Sequence, residues 1–368
     1  MKVRKYKVIG LMSGTSLDGL DIAYCHFGHT EKGGWQFEIL AANTFPYEEK
    51  WVNRLQHITE VSGEELTRTH QELGVWIGKA IKRFMKKHEV DPEFIASHGH
   101  TVFHQPEKGI TLQIGSSYAI HAECGKPVIS NFRDMDIALG GQGAPLVPIG
   151  DRLLFPQHDF CLNIGGIANI SAEVKGERLA YDVSPANMVL NHFAKKKGMA
   201  YDKGGSLARS GEVNTEILER LNALDYYHAP YPKSLGYEWV LEHFINPLEK
   251  EELSVEDMLA TLTHHVAQQI ANNVHQLQEF MDSPNHYSSM LATGGGAFNE
   301  YLIECIRKYS KGTFSVVLPN ELIVSFKEAL IFAFLGVLRV RNEINCLSSV
   351  TGASYDHSAG VVYGDLQV

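Results

Sequence analysis

One order of predicted elements occurs twice along the chain, and this repeat constrains the fold more than any other feature. Segments 6–12, 20–27 and 37–43 are rich in β-branched and aromatic residues between glycine-rich turns, which predicts three successive strands. A long amphipathic helix, a short strand at 94–97, a helix and a last strand follow. Segments 160–164, 168–174 and 178–182 begin the same series again. Two β-β-β-α-β-α-β copies predict a duplicated α/β architecture whose meander turns face a shared cleft.

Local signals set the expected ends of several helices. Ser62 and Glu65 form a capping box ahead of the first long helix, and Ser254 precedes the longest one. Pro185 is expected in the first turn of a helix, so Asp182 is expected to end the strand before it. Residues 329–340 are almost wholly apolar, which predicts a helix buried between layers.

The composition argues against several classes of protein. With 368 residues, 44% of them hydrophobic, the chain has enough core material for two lobes. A net charge of −10 argues against a nucleic-acid partner, since the lysines at 195–197 are interpreted as a solvated helix end and not as a concentrated basic face. There is no leader-like segment after Met1 and no apolar run of the roughly 18 residues that span a bilayer, so we expect a cytoplasmic protein without a membrane partner. Five scattered cysteines without a C-x-x-C pair indicate reduced thiols rather than disulfides or a cysteine zinc site.

A glycine-rich turn at 10–19 joins the first two predicted strands. Small residues let the backbone approach a phosphate, and its N–H groups and the Thr15 and Ser16 hydroxyls would donate to the phosphate oxygens. Asp18 would hold a hydrated Mg²⁺ on the phosphate chain. A plain glycine hairpin remains the alternative for the glycines alone. No Walker A loop and no Gly-x-Gly-x-x-Gly helix start is present, which argues against P-loop and Rossmann folds.

Two further glycine-rich segments lie in the second half of the chain. The corresponding turn of the second meander contains Asn163, Gly165 and Gly166. Two glycine turns at equivalent positions of two repeats are difficult to explain as coincidence. A third run, 292–299, joins a strand to a helix and contains three adjacent glycines. Its N–H groups and the helix N-terminus would suit the sugar and α-phosphate of a nucleotide, whereas a flexible connection is the alternative.

Seven segments of the chain, taken in order, carry a resemblance to one family of enzymes. They are 14–21, 97–104, 140–148, 162–170, 232–234, 294–296 and 327–329. The glycine turns resemble those of the actin/hexokinase kinases, and the amino-acid sequences of the seven segments resemble those of the anhydro-N-acetylmuramic acid kinase family. The resemblance implies a duplicated, ribonuclease H-like, two-lobed α/β fold with an interlobe active-site cleft. It also implies an enzyme that uses ATP and Mg²⁺, opens 1,6-anhydro-N-acetylmuramic acid with water at C1 and phosphorylates O6, giving N-acetylmuramic acid 6-phosphate in peptidoglycan recycling.

The chain departs from the usual family pattern at several positions, which leaves the detail of the substrate open. Residues 182–188 read Asp-Val-Ser-Pro-Ala-Asn-Met where Asp-Thr-Gly-Pro-Gly-Asn-Met is usual. The other departures are His100 in place of Gln, Gly204 in place of Asp, and Ser325 with Phe326 in place of a small acidic pair. Asp182 is retained, so the chemistry of the family is expected to be kept.

Asp182 is the expected general base. A carboxylate at the end of a strand can point into a cleft and take a proton from an attacking water. The alternative is an N-terminal helix cap, but Ser184 is expected to fill that position. The resemblance assigns the base to Asp182 and favours an active-site acid at Glu328, for which a buried polar partner is the alternative.

Histidines and an arginine of the first half are expected to bind the sugar. His98 and His104 are expected to line the sugar side of the cleft. The alternative is a zinc cluster of His98, His100 and His104 in a metal-dependent transferase, but the sequence shows no evident further ligand for it. Arg133 is a candidate for the lactyl carboxylate through a bidentate contact, with an ion pair to a neighbouring aspartate as the alternative.

The expected domains and sites follow from these motifs and from the resemblance. The N-terminal lobe is predicted at 1–135 with 341–368, and the C-terminal lobe at 136–340. Catalytic residues are expected at Asp182 and Glu328, and substrate-binding residues at His98, His104, Arg133 and Asn187. The nucleotide is expected to bind Gly14, Thr15, Ser16, Leu17, Asp18, Gly19, Leu20, Asp21, Asn163, Gly165, Gly166, Gly294, Gly295, Gly296 and Asn299.

Two other functions stay open at this point. The departures allow a kinase for another anhydrosugar or an intact sugar, and an actin scaffold allows a non-enzymatic nucleotide-binding protein. A second carboxylate with a sugar pocket would favour the kinase, because a filament protein needs only the nucleotide turns. The partners to be considered are the sugar and, since the sequence leaves the oligomeric state open, a second copy of the chain in a homodimer.

Overall fold

The computed structural model describes residues 4–14, 17–29, 33–281 and 287–366. The chain divides into a first unit, Met1–Phe155 with Phe326–Val368, and a second unit, Pro156–Ser325. These bounds differ from the predicted ones, because residues 136–155 and 326–340 belong to the first unit. A buried ion pair of 2.7 Å between Lys327 Nζ and Asp151 ties these two segments together, and neither its distance nor its partners can be read from the sequence.

The strands form one sheet in each unit. In the first unit they are β1 (Lys5–Ser13), β2 (Gly19–His29), β3 (Trp35–Pro46), β4 (Phe94–Gln105), β5 (Ile110–Ile114) and β6 (Val128–Ser130). In the second unit they are β7 (Phe160–Ile164), β8 (Ile167–Val174), β9 (Glu177–Pro185), β10 (Ser288–Thr293) and β11 (Phe314–Val317), and β12 (Val361–Tyr363) returns to the first.

The two sheets share one topology. The first has the order β12-β6-β4-β1-β2-β3, with β5 paired to β4, and the second has the order β11-β10-β7-β8-β9. In both, the first three strands form an antiparallel meander. In the first sheet β4 and β6 run parallel to β1, and in the second β10 and β11 run parallel to β7. This order is that of a ribonuclease H-like sheet and confirms the predicted duplication.

Helices connect these strands. The α-helices of the first unit are α1 (Glu49–Gln56), α2 (Gly63–His88), α3 (Ser117–Cys124), α4 (Asp134–Ala138) and α5 (Pro148–Leu154). Those that follow are α6 (Asn187–Ala194), α7 (Ser206–Ser210), α8 (Thr215–Asn222), α9 (Asp225–His228), α10 (Tyr237–Val240), a π-helical turn Leu241–Ile245, α11 (Asn246–Leu248), α12 (Val255–Phe280), α13 (Glu300–Tyr309), α14 (Glu321–Val340) and α15 (Ser348–Thr351). No helix in the described ranges is long and apolar enough to cross a membrane.

Apolar faces of the long helices cover the sheets. In the first unit, α2 buries Leu73, Ile77, Ile81 and Phe84 with residues of β1 and β2. In the second, α12 buries Val266, Ile270 and Val274 with residues of β7 and β8. The Ser62 and Ser254 hydroxyls accept the Glu65 and Asp257 N–H groups, so both serines are N-caps. The Glu65 carboxylate accepts Arg54 at 2.9 Å, and the reciprocal half of the predicted capping box is not formed among the described residues.

Three predicted bounds are corrected by the structure. The strand predicted at 178–182 is β9, which continues through Pro185, so Asp182 lies inside a strand and not at its end. The helix after it begins at Asn187 with Ala186 as N-cap, so Pro185 does not open it. The apolar helix begins at Glu321, eight residues before the predicted start, and departs from helical geometry at Phe326, where φ is −119°.

Candidate active site

The turn between β7 and β8 is held by the start of α6. The N–H groups of Ala186 and Met188 donate to the Gly166 carbonyl at 2.8 and 3.0 Å, and the N–H of Asn187 donates to the Gly165 carbonyl at 3.1 Å. A Cβ placed on Gly166 would lie 3.6 Å from the methyl of Met188, and one on Gly165 would lie 3.5 Å from the nearest atom, which are ordinary contact distances. Packing within the protein therefore does not require either glycine, which is consistent with a turn whose backbone a ligand approaches.

The triple glycine lies beside this turn. Gly294 has a φ of 82°, and a Cβ there would come within 2.6 Å of Asn163 Oδ1. A Cβ on Gly296 would clash with the side chain of Ile164, so this glycine is required by packing. A Cβ on Gly295 would lie 3.7 Å from Asn187 Nδ2, which is an ordinary contact distance. The structure thus brings together the two glycine segments that the sequence predicted for nucleotide binding.

Two asparagines support this arrangement in different ways. Asn187 Nδ2 donates to the carbonyl of Ile164 at 3.1 Å and so ties the start of α6 to the end of β7. Asn299 is the N-cap of α13, where its Oδ1 accepts the N–H of Leu302 at 3.0 Å. Its carboxamide oxygen is therefore occupied, which leaves its Nδ2 as the group that a ligand would find.

Asp182 has one carboxylate oxygen held and one open. Its Oδ2 accepts the N–H of Leu235 at 2.9 Å, and its backbone is fixed by Lys233 and by the hydroxyl of Tyr226, which donates to its carbonyl at 2.6 Å. Oδ1 accepts no hydrogen bond from the residues that the structure describes. Burial raises the pKa of Asp182, and the Leu235 N–H opposes that shift. The half-buried carboxylate is thus a stronger base than an exposed one.

Ser184 does not cap the helix, contrary to the expectation. Its side chain is completely buried, and its hydroxyl donates to the Pro185 carbonyl at 3.0 Å. The carboxylate of Asp182 does not cap the helix either, because it binds Leu235. The helix-cap alternative for Asp182 is therefore excluded, although for a different reason than the sequence indicated.

Val183 and Ala186 are also fully buried. With Ser184, these are the three departures from the usual pattern between Asp182 and Met188, and all three face the protein interior.

In the first unit, the turn after β1 is described only in part. Thr15 and Ser16 lie outside the described residues, whereas Leu17 has a φ of 60° and its N–H faces the Gly14 carbonyl at 3.4 Å. Gly19 and Leu20 begin β2, where a Cβ on Gly19 would clash with the carbonyl of Phe45. The turn therefore needs glycine at this position whether or not a ligand binds.

Two aspartates flank the start of β2. Asp18 is exposed, whereas Asp21 is half-buried and accepts the hydroxyl of Thr44 at 2.6 Å. Burial raises the pKa of Asp21, the Thr44 hydrogen bond lowers it, and the charge of Asp18 raises it again. Two carboxylates close enough for the charge of Asp18 to raise the pKa of Asp21 would suit a bound cation.

His98 orients Arg133. The His98 Nδ1 faces the Gly99 carbonyl at 2.9 Å, so this nitrogen carries the proton and Nε2 is the acceptor. Arg133 donates to that Nε2 from Nε at 3.1 Å and from Nη2 at 2.8 Å, and from Nη1 to the Gly143 carbonyl at 2.5 Å. Burial and the charge of Arg133 hold the pKa of His98 well below its usual value, so the ring stays neutral. A guanidinium has five N–H groups, so one remains on each terminal nitrogen.

The three predicted histidines have separate partners. His100 is buried, and its Nδ1 lies 3.0 Å from the hydroxyl of Ser13. His104 is exposed and lies 3.2 Å from the Thr111 hydroxyl. Among the described residues, the side chains grouped closely enough to hold a metal ion include none of these three histidines. His98 and His104 nevertheless share the surroundings of Arg133, whose charge lowers the pKa of both.

Glu328 lies near the same charges. Burial raises the pKa of this half-buried carboxyl, Lys327 and Arg133 lower it, and the charge of Asp21 raises it. It has no hydrogen bond to the residues that the structure describes. An unpaired carboxyl next to Asp21 and Arg133 fits the predicted active-site acid better than a buried polar partner.

Sequence reasoning missed the segment that supports Asp182. The Lys233 carbonyl accepts the Asp182 N–H at 3.1 Å, and Lys233 Nζ donates to the Tyr226 carbonyl at 3.0 Å. Pro232 follows a cis peptide bond, and Tyr231 stacks on Tyr181 with ring centroids 5.5 Å apart. The Pro-Lys-Ser run at 232–234 marked this segment in the sequence, but no local signal placed it beside Asp182.

Comparison with known proteins gives a consistent result. A family model described as anhydro-N-acetylmuramic acid kinase matches residues 6–365. An anhydro-N-acetylmuramic acid kinase of Aliivibrio fischeri is 35% identical over 373 residues, covering 97% of this chain and 99% of its own. One of Bacillus cereus is 34% identical, covering 94% and 96%, and one of Pasteurella multocida is 34% identical, covering 99% and 98%.

Proposed function

The chain belongs to the anhydro-N-acetylmuramic acid kinase family, and on that premise we propose that it phosphorylates O6 of 1,6-anhydro-N-acetylmuramic acid with ATP while water opens the anhydro bridge at C1. The product is N-acetylmuramic acid 6-phosphate, an intermediate of peptidoglycan recycling. The enzyme is an ATP-dependent carbohydrate kinase. The single observation that carries this proposal is the open Oδ1 of Asp182, a base of raised pKa in a chain that matches the family over almost its whole length.

Asp182 acts on the attacking water. It takes one proton from the water while the remaining hydroxyl bonds to C1, and the bond from C1 to O6 breaks with its electron pair going to O6. O6 then bonds to the γ-phosphorus, and ADP leaves. Asp182 afterwards returns its proton to solvent. Its Oδ2 stays bound to the Leu235 N–H throughout, which keeps Oδ1 in a fixed direction.

The residues of the second unit fit a nucleotide. Gly165, Gly166 and Gly295 would each accept a Cβ at ordinary contact distances, so packing within the protein does not explain these glycines. We assign the phosphate contacts to the Asn163, Gly165 and Gly166 turn and the adenosine side to the triple glycine and Asn299. Backbone N–H groups in such turns donate to phosphate oxygens.

In the first unit, the turn from Gly14 to Asp21 is assigned to phosphate binding. The hard carboxylate oxygens of Asp18, with Asp21 beside it, fit Mg²⁺ held through water. When bound, Mg²⁺ neutralises charge on the phosphates. Asp18 and Asp21 would hold it there by their own negative charge.

Arg133 is assigned to the lactyl carboxylate of the sugar. Its remaining N–H groups, one on each terminal nitrogen, match the two oxygens of a carboxylate. His98 fixes the guanidinium plane, whereas His104, Asn187 and Glu328 are assigned as further polar contacts to the sugar or to the reacting oxygens. The buried position of Val183, Ser184 and Ala186 favours the family's own substrate over a different sugar, because none of the three side chains is exposed to a ligand.

One experiment tests the function. The protein is incubated with ATP, Mg²⁺ and 1,6-anhydro-N-acetylmuramic acid in ¹⁸O-water, and the products are analysed by mass spectrometry. We expect a sugar 6-phosphate with one ¹⁸O at C1. Parallel incubations with N-acetylmuramic acid and with N-acetylglucosamine test an intact-sugar kinase. A phosphorylated sugar that keeps its anhydro bridge, or turnover of the intact sugars alone, would contradict the proposal. Nucleotide binding without transfer to any sugar would indicate a non-enzymatic protein.

A further inference from the structure

Three side chains that are far apart in the sequence meet in the interior of the first unit. They are Asp136 at the start of α4, Cys346 after α14 and His357 after α15, with exposures of 0%, 1% and 6%. One oxygen, sulfur or nitrogen from each lies within 4.8 Å of the others. Backbone hydrogen bonds between Cys346 and His357, at 3.0 and 3.2 Å in the two directions, hold two of the three in register.

The imidazole of His357 points an unpaired nitrogen at this group. Its Nδ1 faces the Tyr355 carbonyl at 3.1 Å and therefore carries the ring proton, so Nε2 presents a lone pair. Within the described part of the chain, Nε2 is buried and has no hydrogen-bond partner. It lies 3.6 Å from Asp136 Oδ1, beyond hydrogen-bond distance. A buried nitrogen without a partner is costly, so its position calls for a bound group.

We propose that Asp136, Cys346 and His357 form a binding site for one divalent transition metal ion, and that Zn²⁺ is its natural occupant. A thiolate, an imidazole and a carboxylate are together the donors that Zn²⁺ takes. Bond lengths of about 2.0 to 2.3 Å place tetrahedral ligand atoms roughly 3.3 to 3.8 Å apart, which agrees with the distance between His357 and Asp136. Cys346 would move by about 1 Å or less to complete the set.

The surroundings of the three ligands have the arrangement of a metal site. A metal-binding histidine usually donates its other N–H to a backbone carbonyl, as His357 does to Tyr355. A metal-binding carboxylate is usually hydrogen-bonded as well, and Asp136 accepts the Thr351 hydroxyl at 2.6 Å and the Gly143 N–H at 2.7 Å. Burial raises the pKa of Cys346 to about 12, so binding would displace the thiol proton.

The site is connected to the proposed sugar contact. Asp136 binds the N–H of Gly143, and Arg133 binds the carbonyl of the same residue. A metal on Asp136 would therefore fix the segment that holds Arg133. Metal binding itself does not rest on the proposed function.

The test measures metal content and kinase activity separately on untagged, full-length protein. The protein is stripped with a chelator, equilibrated with Zn²⁺, desalted and analysed by mass spectrometry of the metal. We expect about one zinc per chain and a raised melting temperature, with both effects lost in Cys346→Ala and in His357→Gln. Cys25→Ala, which removes another fully buried thiol of the same unit, should keep the metal.

The outcomes distinguish the site from its alternatives. The proposal would be overturned if the unaltered protein bound no zinc. It would also be overturned if Cys346→Ala, His357→Gln and Cys25→Ala bound equal amounts of zinc, which would indicate a site elsewhere. If the variants do not fold, Co²⁺ is added to the stripped, unaltered protein. A thiolate-to-cobalt absorption band supports the site, and its absence overturns it. If the unaltered protein binds zinc but has no kinase activity, that result would count against the proposed function alone.

Discussion

At the residue scale, the carboxylate of Asp182 has a closely defined position. Its position in β9 puts the backbone in a ladder with Asn169, and the Leu235 N–H holds one carboxylate oxygen. Asparagine at this position would keep an oxygen for the Leu235 N–H while losing the ability to take a proton. The substitution therefore separates the structural role of this side chain from its chemical one.

Asp182→Asn is expected to lower kcat by at least about 10² to 10⁴. Affinity for ATP and for the anhydrosugar should change little, because the shape of the site and the Leu235 contact remain. The unaltered enzyme should lose activity as acidity protonates the raised-pKa carboxyl, whereas the residual activity of the variant should lack that acidic limb. Steady-state kinetics across pH and calorimetric titration measure both effects. Near-normal turnover in a folded variant would move the base to Glu328 or Asp18.

Arg133→Lys tests the contact to the lactyl carboxylate. Lysine keeps the positive charge but loses the planar fork and the paired hydrogen bonds to His98. We expect KM for the anhydrosugar to rise about tenfold or more, a loss of about 1.4 kcal/mol, with little change in KM for ATP. Arg209→Lys, at an exposed arginine paired with Glu304, serves as the comparison and should leave both KM values unchanged. An unchanged sugar KM would show that Arg133 has only the structural role of binding Gly143.

At the element scale, the sequence predicts what local physics controls. The strand alternation and the two serine caps were sufficient to locate both meanders and the starts of α2 and α12. The end of β9 was not predictable in this way, because Pro185 is also a favoured first residue of a helix. In the structure, Pro185 completes the pairing with Ile167, and the helix starts only after Ala186. Long-range pairing decided between two locally acceptable readings.

The glycines of the candidate site divide into two kinds that the sequence alone does not separate. Gly166 has room for a side chain, whereas Gly296 packs against Ile164 and does not. We therefore assign the first to ligand binding and the second to packing of the fold. Likewise, the segment around Leu235 contacts Asp182 only in the tertiary structure, so no spacing in the sequence predicts this contact.

Gly166→Val and Gly296→Ala should therefore fail in different ways. The valine would occupy phosphate space, so we expect ATP affinity to fall at least about tenfold while the folded state is kept. The alanine would force a clash with Ile164 and should lower the free energy of unfolding by about 1 to 3 kcal/mol. Calorimetric titration and thermal unfolding of both variants measure the two effects. Unchanged ATP affinity in folded Gly166→Val would remove this turn from the site.

At the scale of the whole molecule, the duplicated order of elements predicted the fold, and the shared strand order of the two sheets confirms it. The division of the chain into units required contacts that no local pattern contains. The pairing of Lys327 with Asp151 and the meeting of Asp136 with His357 join distant segments through buried charge. Five scattered cysteines gave no metal motif for the same reason, since the neighbours of Cys346 come from other segments.

The stability of the whole chain should depend on pH through buried histidines. Burial lowers the pKa of His100 to about 4, from an ordinary value near 6.5. As pH falls below about 6.5, the unfolded chain takes up a proton that folded His100 refuses, so stability is lost down to about pH 4. The carboxyls of Asp21, Asp182 and Glu328 act in the opposite direction, because their raised pKa values let the folded state take up protons first.

His100→Gln isolates the histidine contribution, because the amide cannot titrate but can still bond to the Ser13 hydroxyl. Between pH 7 and pH 5, the unaltered protein should lose about 1 to 2 kcal/mol more unfolding free energy than the variant. Denaturant titration followed by tryptophan fluorescence reports chiefly on the first unit, which contains Trp35, Trp51 and Trp76, whereas Trp239 lies in the second. Opposing carboxyl contributions are common to both proteins and cancel in the difference. Parallel pH profiles would mean that folded His100 accepts its proton near the ordinary pKa, and that its bond to Ser13 survives in the charged ring.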